Sequence, residues 1–185
     1  MPVEPQILKC REVARSRLFR VEELLLRFSN GVERIYERLA NPSHRAVLIV
    51  PLLDDDTFLL VREYAGGTEN YQLGLPKGAC EADENSLEAA NRELMEEVGY
   101  GAHHLEFVKN LTLSPGYMCH SLEVILAQNL YERRLPGDEP EPLEVIPWSL
   151  SDIPALLARE DFTEGRSVAA LLLVRDLLAA RKPPE

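Results

Sequence analysis

The amino-acid sequence predicts an α/β fold in which a mixed sheet lies between helices, preceded by a small antiparallel β extension at the N-terminus. Three observations carry that expectation. Apolar runs of strand length stand before and after one short helix pattern, the order that a layered α/β domain requires. An Asn-Gly pair between two long strand-like segments marks a hairpin ahead of this core. Two further helix patterns close the chain, the second with an unbroken apolar run over residues 168–174.

Taken in order, residues 18–28 and 32–39 flank Ser29-Asn30-Gly31 and form the hairpin, because Asn-Gly accepts the positive φ values that a tight turn needs. Residues 46–53 and 58–64 pair around Asp54-Asp55-Asp56, and their Val, Leu and Ile content is that of buried strands. The helix pattern runs from Asn85 to Gly99. Residues 105–113, 122–130 and 143–148 read as further strands, the last preceded by the acidic, proline-rich loop 137–142. Helices follow over residues 151–158, with Pro154 in the first turn, and over 167–181. Repeats and low-complexity segments are absent from the sequence.

At 185 residues the chain buries a substantial core, and its length favours one main domain, residues 43–185, behind an extension of residues 1–42. A formal net charge of −11 and a pI near 4.9 argue against binding nucleic acid or an anionic membrane through a basic surface. Cys10, Cys80 and Cys119 have neither paired nor zinc-ligand spacing and read as reduced thiols of a cytoplasmic protein. The N-terminus lacks a basic stretch followed by an apolar run, so no secretion signal is expected, and residues 168–174 are too few to span a bilayer.

Chemistry concentrates in residues 78–100, GACEADENSLEAANRELMEEVGY. Asn85 is placed to cap a helix, with Glu88 reaching back as the second half of a capping box, and Gly99 to end it in the left-handed conformation. At about 100° per residue, Glu93, Glu96 and Glu97 fall within an arc of roughly 100°, while Leu87, Ala90, Leu94 and Val98 form the neighbouring core arc. Carboxylates at that spacing repel one another, so the face is either a solvated acidic surface or a site for a hard cation. Mg²⁺ is bound by carboxylates and water and commonly serves a phosphate substrate, which bare glutamates would repel.

The same run resembles the signature box of the Nudix hydrolases. Gly78, Glu84, Arg92, Glu93, Leu94, Glu96, Glu97 and Gly99 all fall on that pattern, and Tyr100 stands where an aliphatic residue is usual. Seven fixed identities at about 7% usage each match by chance roughly once in 10⁸ starting positions. The resemblance implies an α/β/α sandwich and metal-assisted hydrolysis of a nucleoside diphosphate linked to another moiety, with Mg²⁺ as cofactor and Mn²⁺ as a substitute. It implies Glu93 and Glu97 as metal ligands, Glu96 assisting in binding and catalysis, and the carbonyl of Lys77 reaching the metal from the Gly78 turn. Arg92 would hold the glutamates in place, and Glu84, Gly78 and Gly99 would act structurally.

Outside the box, residues 13–19, 29–39, 62–74 and 137–143 resemble the ADP-compounds hydrolases within the ADP-ribose pyrophosphatase-like branch. This implies ADP-linked substrates such as ADP-ribose, diadenosine triphosphate and NADH, AMP as a product, and homodimerisation through the N-terminal sheet. Pro115, fifteen residues beyond Tyr100, is similar to a mark of ADP-ribose pyrophosphatases. Ala65 departs from that branch's usual arginine, and Pro76-Lys77-Gly78 looks like the dinucleoside polyphosphate hydrolases, so the mixture favours broad ADP-compound specificity. A narrow ADP-ribose pyrophosphatase and a non-catalytic nucleotide-binding module are the alternatives. In this branch the general base lies on a loop after the box, and loop 137–142 matches it best, with Glu139 as base and Glu141 as an additional ligand. Arg38 and Arg62, at strand ends, are candidates for phosphate contacts. Tyr36, Tyr64 and Tyr117 are candidates for stacking on adenine or for ordinary packing. His44, His103, His104 and His120 lack ligand spacing and read as surface residues.

Overall fold

The computed structural model describes residues 2–40 and 45–181, which fall into two units; His44 lies outside the described residues. One unit holds β1 (Gln6–Arg15), β2 (Arg20–Arg27) and β3 (Glu33–Ala40) in an antiparallel sheet of that order, with the segment Thr112–Ser121. The expected hairpin is β2–β3. Phe28 N donates to Val32 O at 2.9 Å, Asn30 Oδ1 accepts from Val32 N, and Gly31 adopts φ 81°. Strand β1 is absent from the sequence expectation because nearly all its side chains are exposed, leaving no alternation to read. Directly opposed ion pairs, Arg11 on Glu23 and Arg38 on Glu22, tie the three strands together. Only Leu24 and Ala40 are buried among the described residues of this unit, whereas Ile7, Val13, Phe19 and Ile35 are exposed.

The other unit holds β4 (Ala46–Pro51), β5 (Thr57–Ala65), β6 (Asn70–Gly74), β7 (Lys77–Ala79), α1 (Ser86–Glu93), β8 (Tyr100–Thr112), β9 (Ser121–Glu132), β10 (Glu144–Ser149), α2 (Ile153–Leu157) and α3 (Gly165–Arg181). A mixed sheet, β7-β4-β9-β8, contains the parallel pair β4–β9, and an antiparallel sheet is ordered β10-β5-β6. The sequence expectation holds only at the turn, where Leu52 bridges Phe58 and Leu53 N donates to Thr57 O at 2.8 Å; β4 and β5 themselves lie in different sheets. Strand β4 takes β7 and β9 as its neighbours, and the turn between β4 and β5 is held by the Asp54 carboxylate, which accepts from Asp56 N and Thr57 N at 2.9 and 2.7 Å. The short, glycine-containing β6 and β7 carry too little apolar pattern to be legible.

Successive side chains of a strand face opposite ways, and here each face meets a helix. Val47, Ile49, Leu59, Val61, Ile125 and Ala127 pack with Ala89, Ala90, Leu94 and Val98. Leu48, Val50, Leu60, Val124 and Leu126 are buried on the other face, where α3 packs on β4 and buries Ala170, Leu171 and Val174. Coverage on both sides explains why these strands read as continuous apolar runs, and it is the expected α/β/α layering. No helix among the described residues is long and apolar enough to cross a membrane.

Candidate active site

Asn85 caps α1, its Oδ1 accepting from Leu87 N and Glu88 N at 3.0 Å, while Glu88 Oε2 accepts from Asn85 N at 3.0 Å. At the far end Gly99 adopts φ 84°. Between these caps the helix widens into a π turn, Leu94–Val98, closed by Gly99 N donating to Leu94 O at 3.1 Å. The extra residue in that turn rotates the end of the helix away from its α-helical register, a distortion often found at functional sites. Glu97 is buried at 6% exposure, beside buried Leu94, Met95 and Val98. Leu87, expected in the core arc, is 37% exposed in the first turn, and Ala89 is buried in its stead.

Arg92 organises the acidic side chains. Its guanidinium grips both oxygens of Glu84 at 2.8 and 2.9 Å, donates to Glu93 at 2.8 Å and Glu96 at 2.9 Å, and reaches Ala79 O at 2.9 Å. The fork on Glu84 holds that carboxyl below its ordinary pKa. Arg134 adds long contacts to Glu96 O and Val98 O at 3.4 and 3.3 Å, across the helix end that Gly99 leaves open.

Glu93 lies against Gly78, where an added β-carbon would fall on its carboxylate. Only glycine admits this approach. Glu97 accepts from Lys77 N at 3.1 Å, so the two glutamates meet the start of β7 from α1 and the π turn. Burial pushes the Glu97 carboxyl up to about 8, against the opposing pull of Lys77, and burial likewise raises Glu93 despite Arg92. Glu139 is also raised, first by burial and then by Glu63 and Asp138.

Glu93, Glu96, Glu97, Asp138, Glu139 and Glu141 line one cavity of about 280 Å³. The structure therefore brings the box glutamates together with loop 137–142. Glu141 lines this cavity with one carboxylate oxygen accepting from the Tyr71 hydroxyl. Arg62 stands directly opposite Glu144 in the β5–β10 ladder and donates to it at 2.8 Å and to Asp161 at 2.6 Å. Tyr64 lines a second cavity, of about 410 Å³, with Glu63 and Lys77, and its ring sits edge-on to Tyr71 at 5.5 Å. Arg38 donates twice to Glu22, at 3.0 and 2.8 Å, and with Tyr36, Pro115 and Tyr117 lines a cavity within the β1–β3 unit. Glu63 and Asp138 are additions that sequence reasoning missed. The alternation of Arg62 and Glu63 along β5 was the available signal for the former; Asp138 had none beyond its loop.

A buried carboxylate, Glu97, and a half-buried one, Glu93, seated in a glycine cradle, both with raised proton affinity, are a donor set that a hard divalent cation takes. Among the described residues no three His, Cys, Asp or Glu side chains are gathered into a ready-made metal cage.

Comparison with known proteins points the same way. Residues 5–38 match the family described as NudE-type Nudix hydrolase N-terminal domain, and residues 42–172 match the NUDIX domain. The chain is 51% identical over 175 residues to ADP compounds hydrolase NudE of Escherichia coli (strain K12), covering 95% of this chain and 94% of that protein. It is 28% identical over 157 residues to ADP-ribose pyrophosphatase of Bacillus subtilis (strain 168), covering 83% and 84%. A solved structure, the crystal structure of an ADP compounds hydrolase, superposes with a TM-score of 0.92 at 49% identity, covering 98% of this chain and 97% of that one.

Proposed function

The chain belongs to the Nudix hydrolase family, and from that premise we propose that it hydrolyses the diphosphate linkage of ADP-linked compounds, among them ADP-ribose, diadenosine triphosphate and NADH, releasing AMP. The observation that carries this reading is the pair Glu93 and Glu97, half-buried and buried, which meet the Gly78 turn, with Glu93 held by Arg92 and both facing a cavity that a second acidic loop also lines. Kinship along almost the whole chain with an ADP compounds hydrolase supports the substrate class.

Glu93 and Glu97, with the Lys77 carbonyl, would hold the cation, and Glu96 assists them. Mg²⁺ is the ion we assign, with Mn²⁺ as a substitute. When bound, it neutralises diphosphate charge and stabilises the charge that develops on the leaving oxygen. Arg92 keeps Glu93 and Glu96 in register through its fork on Glu84. Glu139, whose proton affinity is raised by burial and by Glu63 and Asp138, takes the proton from the attacking water.

We assign residues 1–42 to homodimerisation, because the sheet β1–β3 exposes Ile7, Val13, Phe19 and Ile35, which a second copy would cover. Three free thiols suit a reducing compartment, and we assign the protein to the cytoplasm. The deciding experiment follows AMP release by the purified protein with Mg²⁺ across ADP-ribose, diadenosine triphosphate and NADH. Release from none of them overturns the proposal, and release from ADP-ribose alone selects the narrower pyrophosphatase reading favoured by the second relative.

A further inference from the structure

The two ends of Lys77 serve different neighbours. Its backbone is anchored, N–H to Glu97 at 3.1 Å, while its Nζ reaches across to the carboxylate of Glu63. Residues 61, 63 and 65 alternate onto one face of β5, and with Lys77 they line the 410 Å³ cavity that also carries Tyr64 and Gln72. Glu97, which accepts from Lys77 N, lines the acidic cavity, so Lys77 stands where the two cavities adjoin.

The other cations near the glutamates are committed. Arg92 directs its donors to Glu84, Glu93, Glu96 and a carbonyl, and Arg134 covers the helix end. Lys77 Nζ has three donors and a single hydrogen-bond partner among the described residues, Glu63. A flexible point charge of this kind leaves one partner for another more readily than a forked guanidinium does.

We propose that the Lys77 ammonium is a phosphate-binding group of this enzyme, stored on Glu63 until the substrate enters and then transferred to a diphosphate oxygen. The inference rests on the hydrolase reading above. It adds a specific role: Lys77 fixes the diphosphate across the boundary between the glutamates and the neighbouring cavity, which receives the moiety attached to ADP.

The test measures binding of α,β-methylene ADP by calorimetry, in EDTA and again with Mg²⁺, to wild type, Lys77→Met, Lys77→Arg and Glu63→Gln, alongside KM and kcat for ADP-ribose. Lys77→Met weakens the probe roughly 10- to 100-fold in both buffers and raises KM by a similar factor. Lys77→Arg recovers most of that loss, and Glu63→Gln, which releases the ammonium, tightens the probe. Unchanged probe affinity in Lys77→Met, or unchanged or weaker affinity in Glu63→Gln, overturns the proposal and leaves Lys77 as a counter-ion of the glutamates. Wild type that releases no AMP would overturn the hydrolase reading, and the probe measurements, which need no turnover, keep the two failures apart.

Discussion

Replacing Glu97 by glutamine should make the metal-free protein more stable above neutral pH while removing its response to Mg²⁺. The carboxyl is 6% exposed, and burial pushes it up to about 8 from the usual 4.5. A carboxyl whose folded pKa lies above its unfolded value contributes stability that is complete below about 4.5 and is lost as the pH rises to about 8. Between pH 6 and pH 9 roughly two of those pH units remain to be lost, at about 1.4 kcal/mol each, or about 2–3 kcal/mol in all. For a chain of 185 residues this corresponds to roughly 5–10 °C in Tm. Glutamine keeps the oxygen that accepts from Lys77 N and carries no charge, so Glu97→Gln should escape this loss. Thermal melts of both proteins in EDTA at pH 6 and pH 9, repeated with Mg²⁺, check the reasoning. Mg²⁺ should restore wild type by binding only the folded state and leave the variant unmoved. Parallel loss of Tm in wild type and variant between the two pH values would refute the buried, cation-seeking carboxylate.

Gly78→Ala places a methyl on the Glu93 carboxylate, so kcat should fall by about 10²-fold with little change in far-UV circular dichroism; near-normal kcat would show that the cradle is not needed. Glu139→Gln should lower kcat about 10²- to 10⁴-fold and abolish the acidic limb of the pH–rate profile, and a profile like that of wild type would remove Glu139 as the base. Asp161, held well below the usual carboxylate range by Arg159 and Arg62, contributes stability above the unfolded pKa that disappears as the pH falls through the folded value. Asp161→Asn should therefore lower Tm at pH 7 and have little effect near pH 2; equal losses at both would mean that the ion pairs are not the cause.

Sequence patterning and tertiary packing divided the fold between them. The Asn85 cap and the Asn30-Gly31 turn were legible because each is a local contract between an asparagine side chain and a backbone three or fewer residues away, and the Gly99 terminator because a φ of 84° favours a residue without a β-carbon. The apolar runs of β4, β5 and β9 were legible as strands, but not their partners. A run buried on both faces carries no mark of which neighbour it takes, and β4 chose β7 and β9 over the adjacent β5. Strand β1 was hidden for the opposite reason, an exposed surface without alternation. At the site, nothing in the sequence reveals that Arg62, a candidate phosphate contact, will have Glu144 opposite it, 82 positions away.

The π turn is where local rules and function part. An unbroken α-helix would have kept Glu93, Glu96 and Glu97 on one wet face, each screened and with an ordinary affinity for protons, and such a face holds a hydrated cation only loosely. Widening the helix by one residue carries Glu97 inward among Leu94, Met95 and Val98, where its charge is costly to bury and no cationic side chain among the described residues donates to it. Arg92, the obvious candidate to neutralise it, is held away by Glu84, Glu93 and Glu96. The bonds to those three carboxylates and to Ala79 O thus leave Arg92 no donor for Glu97, which on the proposed reading takes its cation from outside. A box of this kind is less a cluster of ligands than a folded-in electrostatic deficit, and the affinity for metal is the relief of that deficit.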